Sequence, residues 1–340
     1  DHSSCSRSRI PCRSSTNLCF LALLYRIKLE RSLSQGRLRV KPSSLHQLRF
    51  HWPQSTLLLS PGSVSKLEEL LRSRPEELNR RVRPYGATPL RLAVTRGHTL
   101  AVRYLLEHNA AVDLPDIKAQ TPLLVAVQKE FSDCVKALLE AGANPNGHVG
   151  NRSTPLHTSA QNGYLDGVKL LLASGAETEI EHRLLGCTPG LPLHISATYH
   201  HFSCYSCLLL NGAEPDLRHS PIAVPSIVHA QVSLAHTLVK HRCPTRFAVL
   251  LIEFGGHLWQ RDVRGQLATQ LPQDGPCKLL FQQLFDKPRS LQSLCRVAIR
   301  RTLGRHRLGH LKSLPVPLNM YKFLIYDDLI PNAQELITSP

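Results

Sequence analysis

Cys204 and Cys207 stand two residues apart with His200 and His201 just before them, and two thiolates with imidazole nitrogens are the donor set of a tetrahedral zinc site. The other side chains with chemistry in reach are His157 and His194, each following a leucine. An imidazole exchanges protons near neutral pH, yet a catalytic base needs a nucleophile or acid placed beside it. The chain offers no phosphate loop, no Gly-x-Ser-x-Gly elbow, no His-Glu-x-x-His and no carboxylate pair in a setting that would make a pocket. It also has no second Cys-x-x-Cys to complete a zinc set. The expectation is no catalytic residue, no metal and no cofactor.

The elements that carry these residues repeat. Thr88-Pro89-Leu90, Thr121-Pro122-Leu123 and Thr154-Pro155-Leu156 recur every 33 residues. Thr at an N-cap offers its hydroxyl to a free amide, and Pro at the first helical position gives up only an N–H that would have been orphaned. Twenty residues after each Pro stands Asn109, Gly142 or Gly175, types that tolerate the left-handed conformation ending a helix. Between the caps, Ala93, Ala126 and Ser159 let a first helix pack closely. The pairs Leu105-Leu106, Leu138-Leu139 and Leu171-Leu172 supply the buried face of a second.

The same frame explains the cysteines and the histidines. Cys204 takes the slot of Ala101, Cys134 and Gly167, and Cys207 that of Tyr104, Ala137 and Leu170, so both are read as packing residues. A fourth unit, Leu191-Pro192-Leu193-His194, leads to Gly212 after an insertion around Leu185–Pro189. A fifth ends at Gly255 beyond an insertion that holds Pro221 and Pro225, and a truncated unit follows with Asp262, Gly265 and helix over Lys278–Phe285. Upstream, Trp52 to Arg81 with Gly62 and Leu70-Leu71 has the spacing of a capping half-repeat.

A 33-residue period with Thr-Pro-Leu at the helix start resembles the ankyrin repeat. The resemblance implies paired antiparallel helices with hairpin fingers, stacked into a solenoid that binds proteins. His157 and His194 then occupy a position that in ankyrin repeats makes structural hydrogen bonds. Binding residues expected by position are Arg96, Lys129, Gln161, Asn162 and Tyr199, with Thr95, Gln128, Thr198 and the loop Leu184–Pro189 beside them.

Charge excludes one tempting partner. The net charge is +16, but residues 1–52 and 287–312 each hold an excess of eight positive charges and the rest of the chain balances. A duplex-binding surface would need that excess on the repeats, so no nucleic-acid partner is expected. Leu18–Leu24 is about a third of the roughly 20 apolar residues that cross a bilayer, so no membrane partner is expected either. Ten scattered cysteines without a disulfide framework suit reduced thiols in the cytoplasm, with the nucleus also open. The segment before Trp52 opens on Asp1, and the chain's one methionine is Met320. It is read as a disordered basic leader or as sequence outside the functional product.

After Pro288 the register changes. Leu291, Cys295 and Ile299 fall at i, i+4 and i+8, an apolar stripe on a helix whose Arg296, Arg300 and Arg301 point elsewhere. Leu314-Pro315-Val316-Pro317 follows, its alternating prolines fixing an extended segment, then an apolar run of Met320, Phe323, Leu324, Ile325 and Tyr326. Together residues 289–326 resemble the SOCS box, and the whole chain is identified as a member of the ankyrin repeat and SOCS box family. The resemblance implies that Leu291, Cys295 and Ile299 bind elongin B/C and that Leu314, Pro315, Val316 and Pro317 select cullin-5 with its RING subunit. The chain would then deliver an unknown protein substrate for ubiquitination and proteasomal degradation.

The expected architecture is all-α: a leader over 1–51, an ankyrin solenoid of about six units over 52–286, a small helical SOCS box over 287–328 and a tail over 329–340. The alternative is a plain ankyrin scaffold whose last helices only cap the stack. A basic nuclear protein that touches nucleic acid through its leader is a third reading.

Overall fold

The structure, a computed structural model, describes residues 64–82, 85–151, 153–180, 190–215, 233–262, 264–284, 287, 289–304, 311, 313 and 315–338. The leader, Trp52 and Gly62 of the N-terminal cap, the insertions at Leu184–Pro189 and around Pro221 and Pro225, and Leu314 lie outside these residues. Among the described residues all regular structure is helical, apart from isolated bridges between Val82 and Ala87 and between Arg261 and Leu267.

Helix α1 (Val64–Ser73) and a 3-10 turn over Pro75–Asn79 come first. Five helix pairs follow: α2 (Pro89–Thr95) and α3 (Thr99–Glu107), α4 (Pro122–Gln128) and α5 (Ser132–Glu140), α6 (Pro155–Asn162) and α7 (Leu165–Ala173), α8 (Pro192–Thr198) and α9 (Phe202–Leu210), α10 (Leu234–Lys240) and α11 (Thr245–Glu253). Then come α12 (Pro276–Leu284), α13 (Leu291–Leu303), α14 (Leu318–Leu324) and α15 (Ala333–Leu336). First helices stack on first helices and second on second, as a solenoid requires.

The caps do what their residue types allow. The hydroxyls of Thr88, Thr121 and Thr154 accept from the amides of Arg91, Leu124 and His157 at 3.2–3.3 Å. Each pair then turns twice through the left-handed region: first at Gly97, Glu130, Gly163, His200 and Arg242, and again at Asn109, Gly142, Gly175, Gly212 and Gly255. Gly163 is required on two counts, because its φ is +75° and a Cβ there would meet the His201 ring at 2.5 Å. Ala93, Ala126 and Ser159 are fully buried where the helices touch, and Leu105, Leu138 and Leu171 fill the layer between repeats.

Where the fourth unit departs from the motif, its chemistry departs too. Leu191 caps α8 without a side-chain acceptor, and His194 finds no hydrogen-bond partner for either nitrogen among the described residues. The structural hydrogen bond expected of His194 is therefore corrected: the hydroxyl that would meet its Nδ1 is gone. His236 in the fifth pair shows the arrangement intact, with Ser233 Oγ 2.7 Å from Nδ1 and the Gln266 carbonyl 3.0 Å from Nε2.

Candidate functional site

Helix α13 begins where Ser290 Oγ accepts from the Ser293 amide at 3.1 Å, and it places Arg300 and Arg301 in the last turn, where cations suit the helix dipole. Its faces are inverted relative to an ordinary surface helix. Leu291 is 77% exposed, and Leu294, Cys295 and Ile299 are exposed with it. Ser293, Arg296, Val297 and Arg300 are buried, the two arginines at 3% and 8% exposure.

The sequence expectation that the arginines sit apart from the stripe is met, but Arg296 and Arg300 face the protein and the apolar residues face solvent. The reason is a supply of carbonyls and rings. Arg300 donates to the main-chain oxygens of Leu210 at 2.8 Å and Leu324 at 3.1 Å, the C-terminal ends of α9 and α14. Arg296 lies over the Phe323 ring at 4.0 Å and the Tyr326 ring at 4.4 Å, and pairs with Asp328 at 3.2 Å. Burial lowers the Arg300 guanidinium to about 10 and raises the Tyr326 phenol to about 12; near neutral pH the arginine therefore keeps its charge and the tyrosine its proton.

Tyr326 completes the junction. Its ring stacks on Phe254 at 4.0 Å, and its hydroxyl donates to the Glu253 carbonyl at 3.2 Å. Val297 packs on the left-handed turn at Gly255, and Arg289 donates to the Gly256 carbonyl. The residues expected to form a tail also fold back onto the fourth pair. Asn211 donates to the Leu336 carbonyl at 2.7 Å and accepts from the Thr338 amide at 2.8 Å.

Residues 315–317 of the proline segment lie at the surface. Pro315 and Pro317 are exposed and Val316 is half-buried, while Leu311 before them is buried. Pro317 has φ −55° and ψ 146°, the preset conformation of an alternating-proline stretch. Leu318 and Met320 extend this apolar surface into α14.

On the repeats, Arg96, Lys129, Gln161, Asn162 and Tyr199 are all exposed at the turns between first and second helices. Gln161 Nε2 donates to the Tyr199 hydroxyl at 3.4 Å. His157 closes a capping box with Thr154, a structural part in keeping with its place in the motif. Cys204 and Cys207 are buried, and desolvation lifts both thiols to about 12. Among the described residues no three His, Cys, Asp or Glu side chains gather as a metal site, and no helix is long and apolar enough to cross a membrane.

The sequence reading missed the start of the fifth pair. Ser233-Leu234-Ala235-His236 keeps only the hydroxyl and the histidine of the Thr-Pro-Leu-His signature, and an extra residue at Pro244 lengthens the next turn. A serine three residues before a histidine, 22 residues ahead of Gly255, was the available signal.

The family model "Ankyrin repeats (3 copies)" matches residues 59–149, "Ankyrin repeat" matches 151–183, and "SOCS box" matches 287–325. The chain carries ankyrin repeats followed by a SOCS box, and it resembles the ankyrin repeat and SOCS box proteins. It is 38% identical over 97 residues to Ankyrin repeat and SOCS box protein 1 of Mus musculus, covering 26% of this chain and 28% of that protein. Ankyrin repeat and SOCS box protein 13 of Mus musculus is 32% identical over 79 residues, 23% of this chain and 28% of the relative. The matched part thus spans just over a quarter of these relatives' length. The human ASB11 ankyrin repeat domain aligns with TM-score 0.54 and 23% identity, covering 69% of this chain and 99% of that one. The ankyrin repeat domain of Bcl-3, a member of the IkappaB protein family, aligns with TM-score 0.55 and 20% identity over 67% and 97%. These structural likenesses show the fold of the repeats.

Proposed function

We propose that this protein is the substrate-recognition adaptor of an elongin B/C–cullin-5 ubiquitin ligase. One observation carries the reading: α13 buries Arg296 and Arg300 and leaves Leu291, Cys295 and Ile299 in water. Apolar side chains one helical turn apart and exposed together mark a docking face, and here the face lies within the SOCS box match. Elongin C would take Leu291 in an apolar pocket, with Cys295 and Ile299 beside it. The segment Leu314 to Pro317 would meet cullin-5, which brings the RING subunit and the ubiquitin-loaded conjugating enzyme.

No residue of this chain would touch the reacting atoms. Its contribution would be proximity, since holding a lysine of the target near the charged donor raises their effective concentration. The target would lie against the repeat turns at Arg96, Lys129, Gln161, Asn162 and Tyr199, in the cytoplasm or the nucleus.

Co-purification with elongin B/C and cullin-5 tests the division of labour. Replacing Leu314, Pro315 and Pro317 with alanine should lower cullin-5 recovery and leave elongin recovery unchanged, because the segment loses its preset conformation. Equal loss of both partners would refute separate contacts. Retention of neither partner by the parent chain would favour a plain ankyrin scaffold.

A further inference from the structure

The turns of the fourth and fifth pairs carry cations and aromatic rings but no acid. From Leu184 to Ala213 the chain has no charged residue, and from Ser233 to Ile252 it has Lys240, Arg242 and Arg246 with no acid. All three cations are exposed. Arg246 lies over the Phe202 ring at 4.5 Å, which ties the fifth pair to the fourth. His200 sets its ring edge-on to Phe247 at 6.4 Å, and Tyr199 stands exposed beside it.

Beyond the contact of Arg246 with Phe202, the fold gains little from the three cations. Lys240 ends a first helix, where the dipole favours a cation, but Arg246 stands in the first turn of α11, where it does not. Arg242 holds a left-handed position, φ 51°, that Gly97 and Gly163 fill in other pairs. The nearby carboxylate of Asp274 bonds to Lys278 at 2.9 Å and also feels the charge of Arg242. Burial first, then the charges of Lys240 and His200, lower the His241 imidazole below its usual range.

We infer that this edge, Tyr199 and His200 with Lys240, Arg242 and Arg246, docks an acidic segment of a partner protein. Charge complementarity selects the occupant: carboxylates would relieve the repulsion among the cations, and the exposed ring of Tyr199 would take an apolar side chain beside them. That the partner is the protein delivered for ubiquitination rests on the adaptor role proposed above. The binding surface itself does not.

Fluorescence anisotropy with the full chain tests it, using a labelled peptide of six Glu-Ser repeats in roughly 50 mM salt, where surface charges are weakly screened. The parent should bind this peptide and not its Gln-Ser counterpart. Lys240→Glu with Arg242→Glu and Arg246→Glu should weaken binding about tenfold or more, and the corresponding Gln variants should weaken it less. Should the reversed chain fail to fold by circular dichroism, the Gln variants carry the comparison. Unchanged binding by these variants, or equal binding of the Gln-Ser peptide, would overturn the inference. So would tighter binding of a single-stranded DNA 12-mer that the same substitutions abolish. Elongin B/C recovery, measured on the same variants and expected to be intact, keeps a failure here distinct from a failure of the adaptor role.

Discussion

Arg300 in the SOCS box donates at 2.8 Å to the carbonyl of Leu210, the last residue of a helix in the fourth ankyrin pair. Its other terminal nitrogen reaches the Leu324 carbonyl at the end of α14, so one buried guanidinium closes two helix ends that would otherwise hold unsatisfied acceptors. Removing it should strand those acceptors. Arg300→Met is expected to cost about 3 kcal/mol, since hydrogen bonds to a charged donor contribute about 1.5–3 kcal/mol each, and Arg300→Lys should recover part of it. Urea unfolding checks this; an unchanged midpoint in the Met variant would mean the two modules do not depend on the junction.

The two glycine positions separate strain from collision. Gly142 has φ +82° with nothing within 4 Å of an added Cβ, whereas Gly163 combines φ +75° with the His201 ring at 2.5 Å. Gly142→Ala should therefore cost about 1 kcal/mol from the backbone alone, and Gly163→Ala roughly 3 kcal/mol. Thermal unfolding of the two variants reads the difference. Equal losses would mean that the His201 ring moves aside freely.

His194 makes stability fall with acid. Burial holds its imidazole down at about 4, below the ordinary histidine value of about 6.5. The unfolded chain thus takes up a proton that the folded one refuses. The contribution is complete above pH 6.5 and is lost as pH falls from 6.5 to 4, amounting to about 3 kcal/mol at 1.36 kcal/mol per unit. His194→Leu removes both buried nitrogens and should show a smaller drop in melting temperature between pH 7 and pH 5. A slope equal to the parent's would place the acid sensitivity elsewhere.

Thiol footprinting maps the outward stripe. Cys204, Cys207, Cys243 and Cys277 are buried, and desolvation lifts their thiols to about 11 or 12, while Cys295 is exposed. Iodoacetamide labelling of the native chain, resolved by mass spectrometry, should modify Cys295 and spare those four. Added elongin B/C should protect Cys295. Labelling of Cys295 that ignores elongin would remove it from the docking face.

The repeats were legible because their signals are local: a hydroxyl at a cap, a proline at the next position, and a residue able to turn left-handed twenty further on. Thr121, Pro122 and Gly142 are chosen by their own turn of chain. The face that α13 buries was not legible in the same way. Periodicity separates Leu291, Cys295 and Ile299 from Arg296 and Arg300, but which set faces inward depends on free carbonyls at Leu210 and Leu324, far apart in the chain. The solitary state of His194 also follows from a tertiary fact, the loss of a cap hydroxyl at Leu191. The fifth pair was obscured because Ser233 lacks the proline that marks the others.

The outward stripe is tested most directly by gel filtration of the full chain mixed with elongin B/C, with and without Leu291→Ala and Cys295→Ala. Both side chains are exposed, so the double variant should unfold like the parent. Truncating anchors at the centre of a small apolar interface typically costs about 2 kcal/mol or more. The account predicts that the parent co-elutes with elongin B/C and that the double variant elutes alone. Co-elution of the double variant at the parent's level would contradict it.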